Sequence, residues 1–420
     1  MKSLTGLIIC ILFYLPAVAQ LPAFKGAEGF GATATGGRGK EVYHVTNLKD
    51  NGAGSFRDAV SKAGRTVVFD IGGVIKLDSR VNVMSDITIA GQTAPGPGIT
   101  LYGESVAFNK IKNVIVRYIR MHGSINMKRG SCVLIADSSD NIIFDHISVT
   151  WGRWDDLHIK GSTNITLQYC LVGESLDPQR FGALLERPEY LSIHHCLWIS
   201  NQSRNPKAKA KIEYINNVIY NWGNSGFVGG HSSADHYQDI VNNYFISGPS
   251  SSESFLSMFT ETDHVYHSGN YVDLNKDGSL NGKLVTDADF STDKVKASLV
   301  TKKQNISIIP VTVESAAKAY ESIIASAGCS IERDPVDERL IKQLFGLGKE
   351  GEIIWTETQV GGQPKIEPKP TTLSDSDQDG IPDAWEQSHG LDEHKASDAI
   401  QIRKNGYTSL EDYFENLLKK

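Results

Sequence analysis

The sequence predicts an all-β protein: a right-handed parallel β-helix with flanking helices and a small acidic segment at its C-terminal end. Three observations carry this. Short β-branched runs recur between residues 113 and 270, Gly, Ser, Asn and Asp separate them, and the recurrence stops near Gly282, where helical patterns take over. Aligned on their last residues, the runs 113–118, 141–146, 164–169, 190–195, 214–217, 239–243 and 265–270 bring positions 118, 146, 169, 195, 217, 243 and 270 into register, with steps of 22 to 28 residues. A leucine-rich repeat has a similar period, but its leucine framework and helical segments are missing. Coils of stacked strands remain.

In chain order, residues 1–19 carry Lys2, an apolar run over 7–13 and Ala17-Val18-Ala19, the pattern of a secretory signal. The run is too short to span a bilayer and no second one follows, so the reading is an exported chain, secreted or periplasmic or held at the cell surface, with no membrane span. Residues 20–362 form the β-helix domain with its flanking helices, 363–374 an extended Pro- and Lys-bearing linker, and 375–420 a separate segment. Within the first part, 54–60 reads as a capped helical turn closing the end of the β-helix, and Gly36, Gly37 and Gly39 as turn residues. Asn217, Asn243 and Asn270 fall on equivalent corners and form an asparagine ladder, because Asn tolerates left-handed backbone and its amide bonds to the coils above and below. Cys132, Cys170, Cys196 and Cys329 are too sparse for a disulfide scaffold and have no zinc spacing; Cys170 and Cys196 read as stacked interior thiols. Helices are expected over 314–327 and 335–345, the second with Asp334 as N-cap and Pro335 at its first position.

The net charge of −7 argues against a nucleic-acid partner. Against that background residues 203–211, Ser-Arg-Asn-Pro-Lys-Ala-Lys-Ala-Lys, are a local exception. In an extended segment after Pro206, Lys207, Lys209 and Lys211 project from one face. Such a stripe suits an anionic ligand in a cleft.

Several stretches together resemble the secreted pectate lyases of polysaccharide lyase family 1, in particular the Bacteroidetes-type branch. They are Ala27-Glu28-Gly29-Phe30-Gly31, residues 42–48, residues 54–60, residues 89–96, Phe144-Asp145-His146 and Ser203-Arg204-Asn205-Pro206, and the similarity runs from about residue 23 to about residue 290. The resemblance implies β-elimination on an anionic plant cell-wall polysaccharide of the polygalacturonate or pectin type, by a monomer. Elimination removes the C5 proton, stabilises the resulting anion and expels the glycosidic O4. Arg204 matches the family's catalytic arginine, as proton-abstracting or as anion-stabilising residue, since a guanidinium is too basic to be free at neutral pH. Lys207 and Lys209 match positions that bind substrate carboxylates.

The family also implies calcium held by carboxylates, and there the sequence departs. Thirteen residues before Asp145, where one acid is expected, stands Cys132, a poor ligand for a hard cation. The next turn offers Asp155 and Asp156 out of register, with His158 near an expected acid, and Glu174 and Asp177 follow one coil later. The competing reading lets Arg153, Arg180 and the lysines supply the charge, with Trp151 and Trp154 as surfaces for sugar rings. Asp145 and His146 read as supports of the coil.

At the C-terminus, Asp375, Asp377, Asp379, Asp383 and Glu386 occupy positions one, three, five, nine and twelve of a loop with Gly380 at position six, the EF-hand-type pattern for structural Ca2+. Two other function classes remain: a β-helix glycoside hydrolase of the polygalacturonase type, using a carboxylate cluster such as Asp155 and Asp156, and a non-catalytic glycan-binding β-helix.

Overall fold

Three parallel sheets, stacked coil upon coil, make up the body of the chain. A computed structural model describes residues 20–419, so the signal sequence read at 1–19 lies outside the described residues. One coil runs through Asp140–Asp145 in the first sheet, Ser148–Thr150 in a second and Asp155–Lys160 in a third, then returns to the first at Thr163–Gln168. The first two sheets have eleven strands each and the third has eight. This is the parallel β-helix that the repeat predicts.

Alternation along each strand fills the interior. In the first sheet Val114, Ile142, Ile165, Leu191 and Ile212 stand directly above one another, all buried, so each coil adds one aliphatic layer. Six successive coils turn from the first sheet to the second at a single left-handed residue: Tyr118, His146, Tyr169, His195, Asn216 and Asn242 all have φ between 51 and 54°. Left-handed backbone costs a non-glycine residue of order 1 kcal/mol. Stacking offsets it, with ring centroids 4.6 Å apart for Tyr118 and His146 and 4.9 Å for both His146–Tyr169 and Tyr169–His195.

The residue after each corner points inward. The Asn217 amide N–H donates to Asn243 Oδ1 (2.8 Å) and that of Asn243 to Asn270 Oδ1 (2.9 Å), the expected ladder. Its register differs from the repeat alignment by one residue. His195 stacks on Asn216 rather than Asn217, and the ladder column continues into Cys196, whose N–H donates to Asn217 Oδ1 (3.0 Å), and Cys170. Paired asparagines, 216–217 and 242–243, hide the slip because one takes the corner and the other the ladder. All four described cysteines are buried and free.

The N-terminal end and two flanks are covered. Ser55 caps the short helix Phe56–Ala59 at the N-terminal end. Helices Ala316–Ser326 and Pro335–Phe345 lie on the second sheet, where Ile323, Leu340 and Leu344 join Leu171, Leu197 and Val218 in one buried cluster. Asp334 Oδ1 accepts from the N–H groups of Val336 and Asp337, as expected of its cap. Within the extended linker read at 363–374, Lys369–Pro370 pairs antiparallel with the edge strand Ile71–Lys76, and a proline is tolerated at such an edge. The C-terminal helix Ser409–Leu417 packs on the first sheet, tied by Arg38–Glu411 (2.8 Å) and Arg117–Glu415 (2.7 Å). Among the described residues no helix is long and apolar enough to cross a membrane.

Candidate active site

The outer face of the third sheet carries the cationic stripe. Strands Asp155–Lys160, Phe181–Glu186 and Lys207–Lys209 lie side by side, with Leu157, Ile159, Ala183, Leu185 and Ala208 turned into the core. Facing out are the rows His158, Leu184, Lys207 and Lys160, Glu186, Lys209. Lys211 leaves this face. The chain turns at Ala210, and Lys211 begins a strand of the first sheet, where its Nζ meets Glu189 at 2.8 Å.

Arg204 sits at the turn entering this sheet, in left-handed backbone with φ 59°. The approach of the neighbouring coil is so close that a Cβ on Gly182 would stand 2.6 Å from the Arg204 carbonyl oxygen, which explains glycine there. Tertiary packing sets the side chain. Its Cζ lies 4.2 Å over the Phe181 ring, and Nη1 donates to Asp155 Oδ1 at 3.0 Å with the arginine still 20% exposed. Asp155 is fully buried, and its Oδ2 has no partner. Burial pushes its carboxyl up to about 7, against the pull of Arg204. Burial also lowers the pKa of Lys207, as do Arg204 and Lys209 beside it. A buried carboxylate, an arginine and two lysines thus share one strip of sheet.

The other predicted residues divide. Arg180 stays at the rim, its guanidinium 3.7 Å over the ring of Trp355, and burial lowers its pKa. Arg153 braces two turns, donating to the carbonyls of Met127 (3.0 Å) and Asp177 (3.3 Å). Trp154 carries Arg129 over its ring at 4.1 Å, whereas Trp151 is wholly buried and offers no sugar surface. Trp355 was invisible to sequence patterning. It comes from a stretch beyond the flanking helices, is 52% exposed, and is fixed by its carbonyl accepting from the Asp177 N–H at 3.0 Å. Asp145 and His146 are structural: Asp145 receives Arg117 (2.7 Å), His146 (2.7 Å) and Gln168 (2.8 Å), and although burial raises its pKa, His146 and Arg117 hold it well below the usual range.

The four cleft acids do not assemble into a calcium cage. Glu174 is taken by Arg339 of the second flanking helix through two bonds of 2.6 and 2.7 Å, with Trp151 Nε1 as a third donor. Asp156 points inward and accepts from the Gly152 N–H at 2.8 Å, Asp155 is paired with Arg204, and His158 lies 3.4 Å from Glu186. Asp177 contributes its backbone to the Trp355 and Arg153 contacts, and among the described residues it joins no group of converging ligands. Asp155 Oδ2 and Asp156 Oδ2 are the buried oxygens of these acids without a partner, and two fall far short of the six to eight that calcium takes. The residues present do not fit a cleft calcium.

The acidic loop does converge. Ligand atoms of Asp375, Asp377 and Asp379 lie within 4.8 Å of one another, as do those of Asp379, Glu386 and Asp398. Burial, then the neighbouring acids, push Glu386 up to about 8; burial likewise pushes Asp379 up to about 7. Asp383, read from the sequence as a ligand, is instead occupied by the N–H (2.7 Å) and hydroxyl (2.8 Å) of Ser376. Asp398, twelve residues beyond Glu386, lies outside the motif.

No family model matches the chain. Among curated proteins, a probable pectate lyase C of Aspergillus flavus is 41% identical over 418 residues, spanning 99% of this chain and 98% of that one. Its counterpart in Aspergillus fumigatus is 40% identical over 420 residues, spanning 100% and 99%. Among solved structures, a Bacillus subtilis pectate lyase mutant superposes with a TM-score of 0.54 at 14% identity over 74% of this chain and 99% of that one. The major allergen from cedar pollen does so with 0.52 at 17% over 72% and 92%. At these identities the two structures show the fold. The relatives at about 40% are fungal and lend no support to a Bacteroidetes-type branch.

Proposed function

The chain belongs to the pectate lyase family, and we propose on that premise that it is a secreted lyase cleaving polygalacturonate or pectin-type uronic-acid polymers of plant cell walls. The single observation that supports this site assignment is the Arg204–Asp155 pair, 3.0 Å apart at the head of a sheet whose next outward positions are lysines.

The chemistry follows from what the substrate demands. In β-elimination a base drawn from solvent takes the C5 proton, the C5–H electron pair becomes the second bond between C4 and C5, the bond from C4 to the glycosidic oxygen breaks with its pair on that oxygen, and that oxygen takes up a proton. The barrier lies in the anion that forms next to the C6 carboxylate. Arg204 is read as its stabiliser, because a guanidinium bonded to a carboxylate is a charged donor rather than a base, and Asp155 holds it in place. Lys207 and Lys209 bind the carboxylates of neighbouring sugars, with Arg180 and Trp355 forming the rim and Arg153 and Trp154 continuing it. No step is routed through a cleft calcium. In the C-terminal loop the reading is a structural Ca2+.

Digestion of polygalacturonate tests the class. Elimination leaves an unsaturated uronate, so ultraviolet absorbance rises with the new chain ends. New reducing ends without that absorbance would mean hydrolysis, and neither signal would reduce the protein to a glycan binder.

A further inference from the structure

We propose that Asp398, outside the loop motif, completes a calcium site with Asp377, Asp379 and Glu386, and that the ion clasps the C-terminal helices to the first coils of the β-helix. This deepens the reading of the acidic loop as a calcium loop and rests on it.

The argument starts from oxygen atoms that lack a donor. Six are buried without any hydrogen-bond partner: Asp377 Oδ1 and Oδ2, Asp379 Oδ2, Glu386 Oε1 and Oε2, and Asp398 Oδ1. Glu386 is completely buried and Asp379 nearly so. Carboxylates withdrawn from water without donors are costly, and of the loop acids His44 Nε2 approaches Asp375 alone, at 3.8 Å. The four carboxylates fall in two convergent groups that share Asp379; their six oxygens, with no nitrogen or sulfur, match in number the lower end of what Ca2+ takes, and Glu386 offers both of its oxygens, as the last residue of such loops does.

The remaining acids have other tasks. Asp375 folds the loop back, accepting from the N–H groups of Asp379 (3.2 Å) and Gly380 (3.0 Å). Asp383 braces Ser376. Asp398 is held ready from the far side, because its Oδ2 accepts from the Asp392 N–H at 3.1 Å and leaves Oδ1 free.

The ion would therefore join two segments at this point. Each presses an apolar residue into the same cluster: Ile381 from the loop and Ala399 from beside Asp398, both fully buried with Val68 and Ala90 of the first sheet. His44 adds a polar tie, bonding Asp70 through Nδ1 (2.9 Å) and the Gln378 carbonyl through Nε2 (3.1 Å). Without the cation, carboxylates on the two segments repel across the seam that this cluster must keep closed.

Terbium(III), a luminescent substitute for Ca2+, tests this on the mature full-length protein, with Trp385 next to Glu386 as the sensitising indole. The expected result is terbium emission in the wild type, displaced by Ca2+ and lost in Trp385→Phe. Asp398→Asn weakens terbium affinity at least tenfold and exposes the C-terminal segment to protease, while Asp383→Asn stays within about threefold of wild type. Asp398→Ser is read the same way should the first variant misfold. A wild type that binds neither terbium nor Ca2+ overturns the loop reading itself. Wild-type binding left intact by Asp398→Asn, or weakened equally by Asp383→Asn, overturns only the ligand set proposed here.

Discussion

Replacing Arg204 with lysine isolates the guanidinium from its charge. In the structure one Nη1–H is spent on Asp155 at 3.0 Å and the guanidinium rests over Phe181, which leaves its other N–H groups for substrate. A lysine ammonium has a single nitrogen. If it keeps Asp155 it withdraws from the substrate, and if it reaches the substrate it leaves Asp155 behind. Two charge-assisted hydrogen bonds to the developing anion are then lost, at about 1.5–3 kcal/mol each. The sum, about 3–6 kcal/mol, corresponds to a fall in kcat of roughly 10²–10⁴, with KM little changed because the lysines still hold the polymer. Initial rates of ultraviolet absorbance on polygalacturonate measure it, with thermal unfolding as the control for folding. A kcat within tenfold of wild type in a folded Arg204→Lys protein would refute the role of Arg204 argued here.

Three further outcomes are expected. Because burial raises the Asp155 carboxyl to about 7 from an ordinary 3.8, the folded state binds a proton more tightly than the unfolded one, and its contribution to stability falls as pH rises through that window. Asp155→Asn removes this, so urea unfolding in chelator should show the gap between variant and wild type shifting by about 4 kcal/mol in favour of the variant from pH 4 to pH 8; a pH-independent gap would contradict it. Lys207→Ala should raise KM at least tenfold with kcat held within about threefold, and equal losses in both would move Lys207 into the reacting centre. Asn243→Ala removes a ladder rung that bonds to Tyr214, Asn217 and Asn270, and should cost about 3–5 kcal/mol by chemical denaturation through the donors and acceptors it orphans; a loss under 1 kcal/mol would mean water replaces the amide.

The sequence by itself determined whatever depends on neighbours along the chain. Alternating β-branched runs dictate strands, Asp334-Pro335 starts a helix, adjacent asparagines supply a corner and a rung, and acids spaced two apart from Asp375 to Asp379 bring their carboxylates together. Arg204 was legible through its own short motif. The tertiary structure decided what depends on coil register, and a repeat that varies by several residues does not set register to the single residue that side-chain pairing needs. Asn216 rather than Asn217 therefore takes the corner, and Lys211 turns onto another sheet. Asp155 and Arg204 meet across two coils, Glu174 is captured by a helix far along the chain, and Asp398 faces a loop whose motif had already ended. Strand and turn preferences act over a few residues, whereas each of these pairings is fixed by how whole coils and their covering segments pack, because a buried charge or donor must find its partner wherever the fold brings one within reach.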